Sequence, residues 1–338
     1  TNSANGAQPE TPDSIRFNAP RQYAAQNRAV TPNDYKSRVK SIYANAKSVS
    51  VWGGEDNDTP FYGRVYISIK PIAGATLTET KKTDIINQLK EFNVASITPI
   101  IEDPETTSVQ LNVNVKYDAK STTQTADSIN ALVTSAITNF NTNNLQEFDS
   151  IFRHSKFIET VNKVDDSILS NITTVKLHKS FTAVTTGSTS YTVNYNNALY
   201  NPHSGHNASA GGILTSSGFK ISGDATNEYF LDEDGAGNVR LYYLVGTTRT
   251  YSNSSQGTIN YSTGVITINS LNITSVSNVD GATSTAVRLT VIPSSVDVIP
   301  VRNQVLEIDE TNTTVSVSAD TYDTTSGIGY TSATSYAS

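Results

Sequence analysis

The chain alternates between two kinds of hydrophobic pattern, and the change from one to the other organises it. Along Val49–Pro71 (VSVWGGEDNDTPFYGRVYISIKP) two β-patterned runs flank a turn-rich centre. In the second run Phe61, Gly63, Val65, Ile67 and Ile69 point one way, and Tyr62, Arg64, Tyr66, Ser68 and Lys70 the other. Such period-2 alternation predicts a strand with one buried face. Gly53 to Asp58 then form the tip of a hairpin, with Glu55, Asp56 and Asp58 as a solvated acidic end. Just upstream, Thr31 suits an N-cap, Pro32 the first helical position, and Asp34 a capping-box acid. Tyr35, Val39, Ile42, Tyr43 and Ala46 follow at the spacing of one buried helical stripe.

The same two periods continue to residue 181. A helix is expected from Thr78-Glu79, burying Ile85, Ile86, Leu89 and Phe92. Strands are expected at Ala95–Ile101 and Thr107–Tyr117, separated by a turn at Asp103-Pro104-Glu105. A third helix covers about Thr125–Asn141, with Ile129, Leu132, Val133, Ala136, Ile137 and Phe140 on one face. A fourth covers Phe148–Val164, and Ile172–Phe181 is a strand. Mixed strands with helices on one face predict a layered α+β domain over 31–181.

From about residue 182 helical periodicity disappears, and Gly, Ser, Thr, Asn and Tyr dominate. Short alternating runs at Tyr191–Tyr195, Glu228–Leu231, Val239–Val245, Gly257–Tyr261 and Gly264–Ile268 predict a smaller all-β domain over 182–285, with Asn196–Gly212 as its longest loop. Residues 286–310 hold closing strands, at Arg288–Ile292 and Val301–Ile308. Residues 311–338 form a Thr/Ser/Tyr-rich tail with one strand-like run at Thr314–Ser318. The tail's last part is expected to be mobile, or ordered against a partner. Residues 1–30 are a polar linker and entry segment.

Composition changes this picture chiefly by exclusion. A net charge of −7 and the lack of any Lys/Arg stripe argue against a nucleic-acid partner. Zero cysteines exclude disulfides, thiolate metal sites and a cysteine nucleophile. Zero methionines suggest that Thr1 is a processed or excised start, as in the later part of a longer polypeptide. No apolar run approaches the ~20 residues that span a bilayer, so a soluble chain without a membrane partner is expected.

Candidate chemistry is sparse. His203 and His206, in NPHSGH, have a spacing that two metal ligands could use, yet no neighbouring carboxylate cluster offers a third. They are taken as polar loop histidines, and His154 and His178 as ordinary helix and strand residues. Asp232 to Asn238 resembles a calcium loop in its alternating Asp232 and Asp234, but its glycine comes too early and no closing glutamate follows. A hairpin turn is the better reading. There is no GxSxG, no phosphate-binding glycine loop and no pair of carboxylates in apolar surroundings. No catalytic, cofactor-binding or metal-ligating residue is therefore expected, nor a small-molecule substrate, and the chain is expected not to be an enzyme.

Several words in this order resemble a known family. The run NRAVTPNDYKSRVKSIYANAKSVSVWGGED followed by YGRVYISIKP is similar to the baseplate wedge proteins of T-even-type contractile-tailed phages, within the wider baseplate J-like group. The family's G-x-V-x-I-x-I strand corresponds to Gly63, Val65, Ile67 and Ile69. IFRHSKFIETVNKVDDSILSNITTVKL and VRLTVIPSSVDVIPVRNQVLEID resemble later segments, so the likeness runs over most of 15–310 and is strongest at 27–71. The resemblance implies a structural virion protein of the tail baseplate, assembled in the host cytoplasm. It would pair as a homodimer and join other wedge subunits in a ring that passes the contraction signal, with no cofactor. It also implies a C-terminal portion of a longer chain. The competing reading is a receptor-binding or adhesin module, motivated by the polar, Tyr-bearing loops at 196–256.

Overall fold

The computed structural model describes residues 28–320 except 58, 95 and 206–211, together with scattered positions at 12, 15, 16, 19, 20 and 23. The expected linker, the last part of the tail, Asp58 and His206 lie largely or wholly outside the described residues. In chain order the elements are α1 (Pro32–Ile42), β1 (Ala46–Gly53), β2 (Arg64–Pro71), α2 (Glu79–Leu89), β3 (Thr98–Glu102), β4 (Glu105–Tyr117), α3 (Ala126–Asn144) and α4 (His154–Asn162). Strands follow: β5 (Ile168–Thr182), β6 (Thr189–Asn194), β7 (Thr215–Ser216), β8 (Phe219–Ile221), β9 (Asp224–Glu233), β10 (Asn238–Val245), β11 (Thr248–Asn260) and β12 (Val265–Leu271). The last are β13 (Ile273–Val276), β14 (Ala286–Val291), β15 (Gln304–Ile308) and β16 (Thr314–Ala319). The fold is α+β, with several sheets.

The chain divides into two compact units. The first comprises the described residues through Thr107 with Asn144–Ile151 and Val298–Glu307; the second comprises Ser108–Asn143, Phe152–Asp297 and the described residues from Ile308.

In the first unit the capping box forms as the sequence predicts. The Asp34 amide donates to Thr31 Oγ1 at 3.3 Å, and the Thr31 amide donates to Asp34 Oδ2 at 2.8 Å. Burial opposes ionisation of Asp34, but these bonds outweigh it and hold the carboxyl below its usual range. β1 and β2 pair antiparallel, and β3 joins β2 in parallel. Parallel pairing needs a crossover, which α2 supplies. Tyr35, Val39, Val49, Val51, Val65, Ile67, Ile69, Ile85, Leu89 and Ile101 make one buried cluster, against which Ile42, Tyr43, Ile86 and Phe92 pack.

β2 departs from expectation. Val65, Tyr66, Ile67, Ser68 and Ile69 are all buried, so both faces are covered rather than one. Ile67 and Ile69 enter the aliphatic cluster, while on the other face Tyr66 stacks on Trp52 at 5.8 Å. The tip is a 3₁₀ turn at Gly54–Asp56. Gly54 there has no room for a side chain, since a Cβ would lie 2.0 Å from the Phe61 carbonyl oxygen.

The second unit holds two sheets. In one, β4, β5, β14 and β7 follow in order with antiparallel pairings, and β16 adds to β4 in parallel. α3 buries Ile129, Val133, Ile137 and Phe140 as expected, but Leu132 stays 42% exposed. The fourth helix starts at His154 rather than Phe148. Gln146 and Asp149 take positive φ, which a helix excludes, and Phe152 turns inward ahead of it to meet Phe140 and Phe157. The other sheet has seven strands in the order β13-β8-β9-β10-β11-β12-β6. Most neighbours in it are consecutive in the chain.

Candidate functional site

The densest polar chemistry among the described residues lies on the β9–β10 hairpin. The turn forms where Asp234, Gly235 and Gly237 predict it. Asp234 accepts from the Ala236 amide at 2.8 Å, the Asn238 amide at 3.0 Å and Asn238 Nδ2 at 2.6 Å, while Gly235 and Gly237 adopt positive φ. Burial raises the Asp234 pKa, but these bonds outweigh it and hold the carboxyl low.

Asp232 and Glu233, expected within the turn, instead end strand β9 and are fully buried. Asp232 accepts from Arg240 Nε at 2.8 Å and Nη2 at 3.1 Å, from Arg249 Nη1 at 2.6 Å and from Tyr251 Oη at 2.9 Å. Two cations and a phenol thus surround one carboxylate. The guanidiniums also stack, Arg240 4.3 Å from the Tyr251 ring centroid and Arg249 4.7 Å from that of Tyr242. Glu233 accepts from Tyr261 Oη at 2.8 Å, from the Ile213 amide at 3.3 Å and from the Gly235 amide. Burial and then the Glu233 carboxylate push the Tyr261 phenol well above its ordinary pKa. A network this fully bonded orders the sheet and leaves no activated nucleophile.

Beside it an open depression of about 510 Å³ is lined by Asn201, Ser204, Gly235, Asn260 and Tyr261, among others. Its walls are amides, hydroxyls and backbone. Nothing there converges as an acid–base pair.

The four histidines separate. His203 Nδ1 lies 3.3 Å from the Ser204 carbonyl oxygen, in the loop that was expected, and its possible partner His206 is outside the described residues. His154 opens α4, with Nε2 3.1 Å from the Thr173 carbonyl oxygen and its amide donating to Asp297. His178 lies in β5 and is buried, with Nε2 2.7 Å from Asp309 Oδ2. Burial depresses the imidazole pKa more than Asp309 raises it, which favours the neutral ring beside the carboxylate. Asp309 is held low, against its burial, by Asn312 and His178. Sequence reasoning missed this pair because 131 residues separate its members. Among the described residues no group of three or more His, Asp or Glu side chains could hold a metal ion, and no helix is long and apolar enough to cross a membrane.

With the geometry silent on catalysis, likeness to known proteins carries more weight. Residues 31–102 match the family described as baseplate structural protein gp6, C-terminal domain I, and residues 105–180 match baseplate structural protein gp6, C-terminal domain III. The chain is 28% identical to the baseplate wedge protein gp6 of Enterobacteria phage T4 over 172 residues, which is 51% of this chain and 26% of that one. It therefore spans about a quarter of that relative's length. Among solved structures, the cryo-EM structure of the anti-feeding prophage baseplate aligns over 50% of this chain and 38% of that chain, with 13% identity and a TM-score of 0.38. Residues 31–180 are thus similar to C-terminal domains I and III of the gp6 baseplate structural proteins of contractile-tailed phages.

Proposed function

We propose that the chain is a structural, non-enzymatic subunit of a tail baseplate wedge, located in the virion, that pairs with a second copy and joins other wedge subunits in a ring. The succession of two gp6 C-terminal domains along residues 31–180 carries this reading. The interior chemistry supports it, because buried Asp232 is bonded to Arg240 and Arg249, and buried Glu233 to Tyr261 and two backbone amides, within the interior of the second unit. A subunit that must hold position during a rearrangement of its neighbours needs a rigid interior and adaptable surfaces. Antibodies raised against the chain should label the baseplate end of the parent particle in negative-stain images. Label at fibre tips, or none on intact particles, would sink the proposal.

A receptor-binding role has one observation in its favour, the polar depression at Asn201, Asn260 and Tyr261. Amides beside an aromatic ring suit a sugar. Binding on a glycan array that Tyr261→Ala abolishes would move the reading to that side.

A further inference from the structure

Among the described residues, strand β16 is an edge of its sheet whose outer backbone row is met by a single side chain. It pairs in parallel with β4, Thr314 opposite Asn112 through Ala319 opposite Tyr117. The Asp320 amide donates to the Tyr117 carbonyl at 2.8 Å, which turns the backbone of the even-numbered residues toward β4. Val315, Val317 and Ala319 therefore present their amides and carbonyls outward. One side chain reaches that row in the described structure, Asn130 Nδ2 donating to the Val315 carbonyl at 3.0 Å.

Four of the other edges carry the usual protection, while β6, TSYTVN, is like β16 in having six residues with no charge and no proline. The Thr98 amide bonds to Gly63, so the outward positions of β3 are Pro99, which has no N–H, and Ile101. β1 has a register shift at Ala46/Ser48 and is met by Phe148, whose amide donates to Ser48 Oγ. β13 has four residues and β7 two. β16, TVSVSA, has six residues with no charge and no proline.

We infer that β16 pairs antiparallel with β16 of a second copy, about a two-fold axis at Val317. The strand is complementary to itself in that register. Val317 meets Val317 and Val315 meets Ala319 on one face, while Ser316 meets Ser318 on the other. Apolar faces only apolar, hydroxyl faces only hydroxyl, and no like charges oppose. Three hydrogen-bonded pairs form across the axis. This inference rests on the self-association proposed above and names its surface.

The absence of cysteine from the chain makes the test clean. Across the axis the two Val317 Cα atoms would lie about 5.5 Å apart, within the ~4.4–6.8 Å that a disulfide spans. Two Ala319 Cα atoms would lie about 14 Å apart, four residues along and one strand across. Under mild oxidation Val317→Cys should form a covalent dimer at least tenfold faster than Ala319→Cys. Val317→Pro, which removes an outward N–H and so spares the β4 ladder, should weaken dimerisation at least tenfold in sedimentation equilibrium. A dimer that survives Val317→Pro and cross-links equally at both positions overturns this surface but not self-association. A chain monomeric at all attainable concentrations overturns both. If deleting residues 321–338 alone converts a monomer into a dimer, the chain's own C-terminal residues cover the edge, and the inference fails.

Discussion

The two units weight interior polarity differently, though each has an exception: Lys82 in the first is a buried cation bonded to Glu79 and Asp103, and Asn201 Oδ1 in the second is a buried atom without a partner. The first is built on one aliphatic cluster, and its buried polar side-chain atoms include single groups left without a partner: Tyr35 Oη, Ser37 Oγ, Ser68 Oγ and Asn93 Oδ1. The second places whole charges in its interior but bonds them several times over, as Asp232 shows. A lone unpartnered hydroxyl costs on the order of 1–3 kcal/mol, which a large apolar cluster can absorb. An unpartnered carboxylate could not be absorbed. The lesson is that the polar composition of residues 182–285 does not mean a weak interior; it means one held by directed bonds instead of apolar area.

The comparison can be broken most directly at Asp232. Replacing it with Ala removes the carboxylate that Arg240 bonds in the interior, and such a loss costs about 3–5 kcal/mol. Trp52, the chain's one tryptophan, reports on the first unit, and tyrosine near-UV circular dichroism mainly on the second. In urea titrations Asp232→Ala should shift the tyrosine signal strongly and Trp52 fluorescence less. Equal shifts would mean that the two regions fail together, and the contrast would collapse.

Ile67→Ala is the mirror-image experiment. It opens a cavity in the aliphatic cluster at a cost of about 2–5 kcal/mol. Its effect should appear first in Trp52 fluorescence. A loss below about 1 kcal/mol would show that the cluster collapses around the gap.

Alkali should separate the units without mutation. Burial raises the pKa values of Tyr229, Tyr242, Tyr251 and Tyr261, and neighbouring carboxylates raise them further. Above about pH 10 the unfolded chain loses phenolic protons that the folded chain retains. The stabilisation present below that pH is therefore lost as pH rises toward the folded values. The tyrosine transition should weaken between pH 10 and 12, and Tyr261→Phe should blunt the slope. The first unit, where burial raises Tyr35 alone among the shifted tyrosines, should respond less.

Acid acts through His178, whose depressed folded pKa means that stability is present above its unfolded value of about 6.5 and falls as pH drops below it. His178→Gln should flatten the profile below about pH 6.5. The smallest expected effect is Thr31→Ala, about 1 kcal/mol from the lost cap. An unchanged urea midpoint would mean that water replaces the hydroxyl.

Features carried by adjacent residues were legible in the sequence. The capping box spans Thr31 to Asp34, and the β9–β10 turn spans Asp234 to Asn238, so local spacing specifies both. What escaped depends on partners far along the chain. Nothing near Ser68 says that its side of β2 is covered. The first half of β11, TRTYSNSS, looks like a loop because its ordering comes from β10 and from Asp232 in β9. Asp232 and Glu233 look like turn residues until Arg240, Arg249 and Tyr261 are placed across the strands.

The first unit is assembled from three separated stretches of chain, the last of which ends at Glu307. This sets a schedule for synthesis. Residue 307 leaves the ribosome 307 − 107 = 200 residues after the first stretch is complete. At about 5–20 residues per second that interval lasts roughly 10–40 s. Throughout it the early helices and hairpin lack their final segment, while the strands of the seven-stranded sheet are already emerging beside their neighbours. The first unit thus stays incomplete until its last stretch, Val298–Glu307, has been made.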